Sequence, residues 1–317
     1  MALGLATLLR ADDNRRAMLD HVLTLIAPEG GAPLAAGLIA ELRETLYRLG
    51  AEVGTPDWLK PGQVCDLDYA DLNADQADAA ARRLLDTLPV DVVAQPKAER
   101  RKRLLVADME STLIRNEMLD ELADFVGLRA EIAGITARAM NGELDFEGAV
   151  EARVALLKDL PAEVLDESAT RMELMPGAKA LVATMRRHGA ATVLVSGGFR
   201  FFTRKVAALL GMDREFGNDL EIADAKLTGR VIKPILGRQA KFDTLVQQAT
   251  EAGLPLAATL AVGDGANDLD MIQAAGLGIA FHAKPIVAER AKWRIEHNDL
   301  TSLLYAQGYR AGEIVEG

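Results

Sequence analysis

The chain has 317 residues, 50% of them hydrophobic and 26% charged, with a formal net charge of −11. That length accommodates two domains and an insertion, and the composition is that of a globular protein. The acidic balance excludes a general nucleic-acid binder, which needs basic surface to neutralise phosphates, but it leaves room for a small phosphorylated substrate held by local cations.

In chain order, the opening "MALGLATLLR" is apolar but too short and wrongly flanked for a signal peptide. No stretch is long enough to span a membrane. The single cysteine, Cys65, rules out an intrachain disulfide and points to a reducing compartment, hence the cytoplasm. "LGLATLLR", "QVCDLDYA" and "PVDVVAQ" read as strands, and Cys65 reads as a small apolar filler within the second. "PLAAGLIAELRETLYRLG" and "ADQADAAARRLLDTL" read as helices, with Leu38, Leu42 and Leu46 on one face. Residues 1–95 are thus a small α+β domain with no chemical constellation. A boundary follows at "QPKAERRKR" (Gln95 to Arg103), read as a solvated linker rather than a basic binding patch.

Residues 96–317 alternate strand and helix. The apolar runs "LLVAD", "ATVLVSGG", "TLAVGDG" and "GLGIAF" are separated by helical patterns. In "KFDTLVQQATEAGL", Phe242, Leu245, Val246 and Ala249 recur at helical spacing and Gly253 supplies a stop. Strands that are apolar throughout, joined by helices, predict an α/β doubly wound parallel sheet covered on both faces. From about 117 to 174 the strand signal vanishes and helical runs replace it. That block reads as an inserted helical cap, a lid able to exclude water.

The predicted core strands end in Asp108, in Ser196-Gly197-Gly198 and in "GDGAND" (Gly263 to Asp268). Ligands bind beyond the carboxyl ends of strands in open parallel sheets, so the three clusters should meet. In the last cluster, Asp264 and Asp268 come to one side if a helix starts there, and two carboxylates with the Asn267 amide suit a hard cation such as Mg²⁺. A polar strand-to-helix turn with capping aspartates has the same pattern. "SGG" offers a hydroxyl and backbone N–H groups at a helix start, suited to phosphate, or is a plain glycine turn. Lys241, Glu117 and Arg153 read by themselves as solvated charges, and Met140 and Phe146 as helix-packing residues.

Together these pieces resemble the haloacid dehalogenase superfamily of phosphotransferases, most closely its phosphoserine phosphatases. "DMEST" looks like the first motif and "SGG" like the second; Lys241 stands in the third and "GDGANDLDM" matches the fourth. "NEMLDELAD" and "DFEGAVEARVALLKDL" resemble the amino-acid-binding segments, and the resemblance covers roughly residues 100 to 300. It implies Mg²⁺-dependent hydrolysis of O-phospho-L-serine, the last step of serine biosynthesis, through an aspartyl-phosphate. Asp108 would be nucleophile and metal ligand. Glu110 would give a backbone carbonyl to the metal and a side chain as acid and base. Ser196, Gly197 and Lys241 would hold the phosphoryl oxygens, Asp264 the metal, and Asp268 and Asn267 would stand close by. Glu117 and Arg153 would recognise the amino acid, under Met140 and Phe146 as apolar lid residues. The departure is Glu110, where the family's usual residue is Asp: one methylene more for a group whose placement governs proton transfer. The alternative is a phosphotransferase or phosphatase for another small ester. The N-terminal domain weakly resembles ACT domains, which leaves a regulatory role, a homodimer contact or a purely structural role open.

Overall fold

The structure, a computed structural model, describes residues 19–140 and 143–316. The strand expected in the first ten residues lies outside that set. The chain divides into two units, Met1–Lys102 with Trp293–Ile314, and Arg103–Lys292 with Val315–Gly317. The C-terminal segment thus clusters with the first unit.

In the first unit the chain runs β1 (His21–Ile26), α1 (Ala36–Arg48), β2 (Glu52–Val53), β3 (Asp57–Lys60), β4 (Val64–Ala70), α2 (Ala74–Leu85) and β5 (Asp91–Pro96). The strands form an antiparallel sheet in the order β2-β4-β1-β5, with β3 also on β4. With β3 left aside, this is the βαββαβ arrangement. Leu42 and Leu46 are fully buried, with Leu38 packed beside them, on a core that includes Leu23, Leu25, Leu67 and Cys65. Cys65 is a free buried thiol, as its strand position predicts. Asn73 caps α2 by accepting the Gln76 N–H at 2.9 Å. β1, "HVLTLI", escaped the sequence reading although its burial is nearly continuous.

The basic run 95–103 holds the expected boundary, since the two units divide at Lys102, and residues 96, 98, 99, 101 and 103 are exposed, but several of its charges are paired and not simply solvated. Arg100 donates to both oxygens of Asp66 at 2.7 and 2.9 Å and to Thr24 Oγ at 2.9 Å. Asp66 is buried, and the guanidinium fork answers a charge to which, besides Arg100, the Thr24 hydroxyl donates at 2.7 Å. Lys97 pairs with Asp68 and Arg101 with Glu313. Lys102 is buried, and burial pulls its ammonium down to about 8. The unfolded value is ~10.4, so between the two the unfolded chain holds a proton that the folded chain has released. Stability therefore rises with pH from about 8 to ~10, and the penalty is complete below that window. Unfolding curves across this range should show that slope in the wild type and lose it in Lys102→Met; parallel pH profiles would refute it.

The second unit opens on β6 (Leu104–Ala107). It then gives α3 (Met118–Val126), α4 (Arg129–Met140), α5 (Phe146–Ala155) and α6 (Val164–Ala169), followed by α7 (Ala178–Arg187), β7 (Ala191–Phe199), α8 (Arg200–Leu210) and β8 (Arg214–Asn218). β9 (Leu220–Ala223), β10 (Lys226–Val231), α9 (Arg238–Glu251), β11 (Thr259–Gly263), α10 (Leu269–Ala274), β12 (Leu277–Phe281) and α11 (Pro285–Ala288) complete it. β13 (Trp293–Ile295) and α12 (Ser302–Ala306) belong to the first unit.

The parallel strands run in the order β12-β11-β6-β7-β8. β6, β11 and β12 are buried at every residue, as strands covered on both faces must be. Leu104, Val106, Val193, Val195 and Ala261 meet Leu245, Ala249 and Met271 in one core cluster. The chain leaves β6 toward β7 on one side and later returns to β11 on the other. The switch point of the sheet therefore lies between β6 and β11, where a crevice opens beyond the strand ends.

The inserted helices α3 to α6 form the cap. Its entry and exit segments run together: Ile114 bridges Leu174, and Arg115 and Met175 donate to Glu173 O and Leu113 O at 2.8 and 2.9 Å. A hairpin not foreseen from sequence, β9–β10, turns at Asp224 and Ala225, both at positive φ. It pairs with the cap through Asp159 N–H to Leu227 O and Ala162 N–H to Ala225 O. Among the described residues no helix is long and apolar enough to cross a membrane.

Candidate active site

Asp108 follows the last residue of β6. Its N–H donates to Val262 O of β11 at 3.0 Å, which carries it to the switch point. The carboxylate is buried; Oδ1 accepts the Met109 N–H at 2.7 Å and Oδ2 meets Lys241 Nζ at 2.8 Å. Lys241, in the first turns of α9, is 1% exposed and also donates to Asp268 Oδ1 at 2.6 Å. It reads from sequence as a surface lysine; the fold instead buries it between two carboxylates. Burial alone would lower its affinity for a proton, but Asp108 and Asp268 outweigh that and raise it above the usual lysine range. Burial, and then Asp268, push Asp108 well above the ordinary carboxylate range, against the pull of Lys241.

Asp264 and Asp268 converge, though not by helical spacing. α10 begins only at Leu269, and residues 264–268 form a turn in which Asp268 Oδ2 accepts the Gly265 N–H at 2.9 Å. Gly263 has no room for a side chain, because a Cβ there would overlap the Asp268 carboxyl. Carboxylate oxygens of Asp108, Asp264 and Asp268 lie within 4.8 Å of one another. Burial pushes Asp264 up to about 6. An all-oxygen, buried cluster carrying more negative charge than Lys241 neutralises fits a hard divalent cation.

Glu110 does not join that cluster. Its Oε1 accepts the N–H of Met118, the first residue of α3, at 2.8 Å. Its Oε2 leans over Gly198, where an added Cβ would lie 2.9 Å away. The side chain thus caps the first cap helix with one oxygen while it lines the crevice. Burial, and then Glu117, push it up to about 7.

Ser196 is buried within β7, three residues before its end, its Oγ accepting the Gly198 N–H at 2.9 Å. The "SGG" segment belongs to the strand, and α8 starts only at Arg200, so the helix start expected at these glycines lies beyond them. From the cap, Arg153 donates Nε to Ala149 O at 3.1 Å and keeps its charge facing Glu110, Asp120 and Glu117. Glu117 accepts from Ser111 Oγ at 2.8 Å, with Ser111 at φ 53.

A cavity of about 420 Å³ joins these groups. Asp108, Glu110, Ser196, Gly197, Asp264 and Asn267 line it from the core, and Glu117, Phe146 and Arg153 from the cap. Lys241 and Asp268 do not line it; Lys241 touches Asp108, which does, and Asp268 touches Lys241. The side chain of Met140 lies outside the described residues. Among the charged residues that line the cavity, Asp120 and Lys284 were not recognised in the sequence. Lys284 lines the cavity with Nζ 3.8 Å from Asp264 Oδ2, and its N–H donates to Asp264 O at 3.1 Å. Its signal, a lysine just past β12 and before Pro285, marks a strand end. Asn218, buried and bonded to Gly197 O beside the cavity, was not singled out either; nothing local in "FGND" distinguishes it from a turn residue.

A model of haloacid dehalogenase-like hydrolases matches residues 105–273. The chain is 40% identical over 290 residues to the phosphoserine phosphatase SerB2 of Mycobacterium tuberculosis, covering 90% of this chain and 71% of that one. A crystal structure of a HAD family hydrolase from Salmonella enterica serovar Typhi superposes with a TM-score of 0.81 at 30% identity, covering 90% of this chain and 97% of the other. A substrate-bound phosphoserine phosphatase superposes with a TM-score of 0.60 at 41% identity, covering 65% of this chain and 98% of the other.

Proposed function

We propose that this chain, which belongs to the phosphoserine phosphatases of the haloacid dehalogenase-like hydrolases, hydrolyses O-phospho-L-serine to serine and phosphate. The observation that carries the reading is the buried Asp108 carboxylate, held by Lys241 at the switch point and facing a cavity that also presents Glu117 and Arg153. An acid and a base at one end of the cavity suit the ammonium and carboxylate of an amino acid. Ser196, the Gly197 amide and Lys241 suit the phosphoryl oxygens at the other, with Asn267 beside them.

Asp108, Asp264 and Asp268, with the carbonyl of residue 110, would hold the metal, which we take to be Mg²⁺; when bound it supplies positive charge that offsets repulsion between the phosphate dianion and the attacking carboxylate. Asp108 oxygen bonds to phosphorus as the bond from phosphorus to the serine oxygen breaks. Glu110 gives its proton to that leaving oxygen. Glu110, now ionised, takes a proton from the water that attacks the aspartyl-phosphate; the Asp108–phosphorus bond breaks and phosphate leaves. Splitting the reaction in two replaces one difficult step by two easier ones. Glu110 is suited to both transfers because Met118 fixes one oxygen and leaves the other toward the cavity. Glu110→Gln should lower the rate of phosphate release by ~10²–10⁴-fold with little change in KM. Undiminished turnover would remove Glu110 from this role.

Phosphate release from a panel of esters tests the substrate. A preference for phosphoserine over esters lacking its amino or carboxyl group supports the reading; equal rates favour a phosphatase for another small ester. We further assign residues 1–95 to an ACT-like domain, supported by the antiparallel sheet with its two helices, and the chain from 96 on to the catalytic domain with its cap at about 117–174, apart from 96–102 and the segment 293–314, which cluster with the first unit. A homodimer through the N-terminal sheet and a cytoplasmic location complete the proposal.

A further inference from the structure

Phe146, the first residue of α5, lines the cavity from the cap side. Its ring rests on two glycines of the core. A Cβ added at Gly237 would lie 2.9 Å from ring atoms of Phe146, and one added at Gly197 would lie 3.3 Å away. Real Cβ atoms essentially never approach to the first distance. Gly237 has φ −125 and ψ −151, extended backbone that an alanine can adopt. The ring, rather than the backbone, therefore requires glycine at this position.

The two glycines come from distant parts of the chain, and one side chain ties them together. Asn218, 1% exposed, closes β8. Its Nδ2 donates to Gly197 O at 2.8 Å and to Leu236 O at 3.1 Å, and its Oδ1 accepts the Leu236 N–H at 2.7 Å. Gly197 lies at a break in the β7–β8 register between Val195 and Phe199, so the amide bonds to a carbonyl at an irregular point of the ladder. Leu236 immediately precedes Gly237. A single buried amide thus sets the spacing of the two surfaces on which the lid ring sits.

We infer that Asn218 is a positioning residue that builds a seat for Phe146 from Gly197 and Gly237, and so holds the cap closed over bound substrate. The inference rests on the reading of α3 to α6 as a substrate-covering cap. It assigns Asn218 no contact with the reacting atoms; its effect passes through Phe146.

Three variants test it. Asn218→Ala removes the tie, Gly237→Ala keeps the tie but fills the seat, and Phe146→Ala removes the occupant. Amide hydrogen exchange at Gly148 to Val150, in α5, should speed up in all three. Asn218→Ala combined with Phe146→Ala should exchange no faster than the faster single variant, because both remove one contact. KM for phosphoserine should rise by about fivefold to tenfold in Asn218→Ala and Gly237→Ala, with kcat changing far less. Asn218→Asp, the same shape without the donor, should be worse than Asn218→Ala, since a carboxylate would face two carbonyls; a packing role alone gives the opposite order. Unchanged α5 exchange in Gly237→Ala, or additive effects in the double variant, would overturn the seat. A wild type that turns over another ester but not phosphoserine would refute the substrate reading, while the exchange result would still decide the seat.

Discussion

Asp108→Asn should abolish phosphate release, by ~10³-fold or more, while leaving a folded protein. Asparagine reproduces the shape of aspartate, but its amide carries neither the charge nor the nucleophilic oxygen on which an acyl-phosphate depends. The local hydrogen bonds sharpen the expectation. The two oxygens of Asp108 accept from Met109 N–H and Lys241 Nζ, both donors. An amide can answer only one of them, and its NH₂ would face the other. That mismatch should cost about 1–3 kcal/mol, offset in part because Asp108 sits within a cluster of like charges. Phosphate release and thermal unfolding of the same preparation separate the two effects. Residual turnover above ~1% of wild type would remove Asp108 as nucleophile.

Lys241→Met should damage both stability and turnover. The lysine lies between Asp108 and Asp268, at 2.8 and 2.6 Å, and essentially no solvent reaches it. Removing one partner of a buried charge cluster leaves uncompensated carboxylates, an effect on the order of 3–5 kcal/mol. Methionine matches the volume, so packing loss is small and the loss of stability reads the charge. Turnover should fall by ~10²-fold or more, since a preorganised cation near the phosphoryl group is removed. The variant should also gain more in melting temperature from added Mg²⁺ than the wild type does, because a cation in the triad relieves the repulsion that Lys241 no longer screens. Equal unfolding free energies in the absence of metal would contradict the paired geometry.

The chemistry of the site was readable because its parts are local phrases. Asp108 after an apolar run, Ser196 before two glycines and Asp264 between two glycines each mark a strand end, and strand ends of a parallel sheet share one crevice. Lys241 was readable only through motif order. In isolation it lies on a helix rich in polar residues, and only the packing of α9 buries it. The turn at 264–268 shows the limit of periodicity: two carboxylates four apart suggest a helix face, while the fold uses a turn closed by Gly265 N–H. The basic run at 95–103 was legible as a boundary, but its ion pairs were not, for a similar reason. Charge in a sequence reads as solvent exposure, and the buried Asp66 that recruits Arg100 lies in a strand far upstream.

By itself the sequence determined the layered α/β architecture, the inserted helical block and the carboxylates, serine and glycines that meet at one crevice. Hydrophobic periodicity and short motifs are local, and they survive without knowledge of what packs where. Only the tertiary structure decided which charges are buried, that the Glu110 side chain reaches Met118 and stays out of the aspartate cluster, that Lys284 stands at Asp264, and that Asn218 joins Gly197 to Leu236. Those facts depend on distances between segments separated by up to scores of residues. A side chain such as Asn218 has no local pattern to announce it, because the groups it satisfies are backbone atoms brought together by the fold.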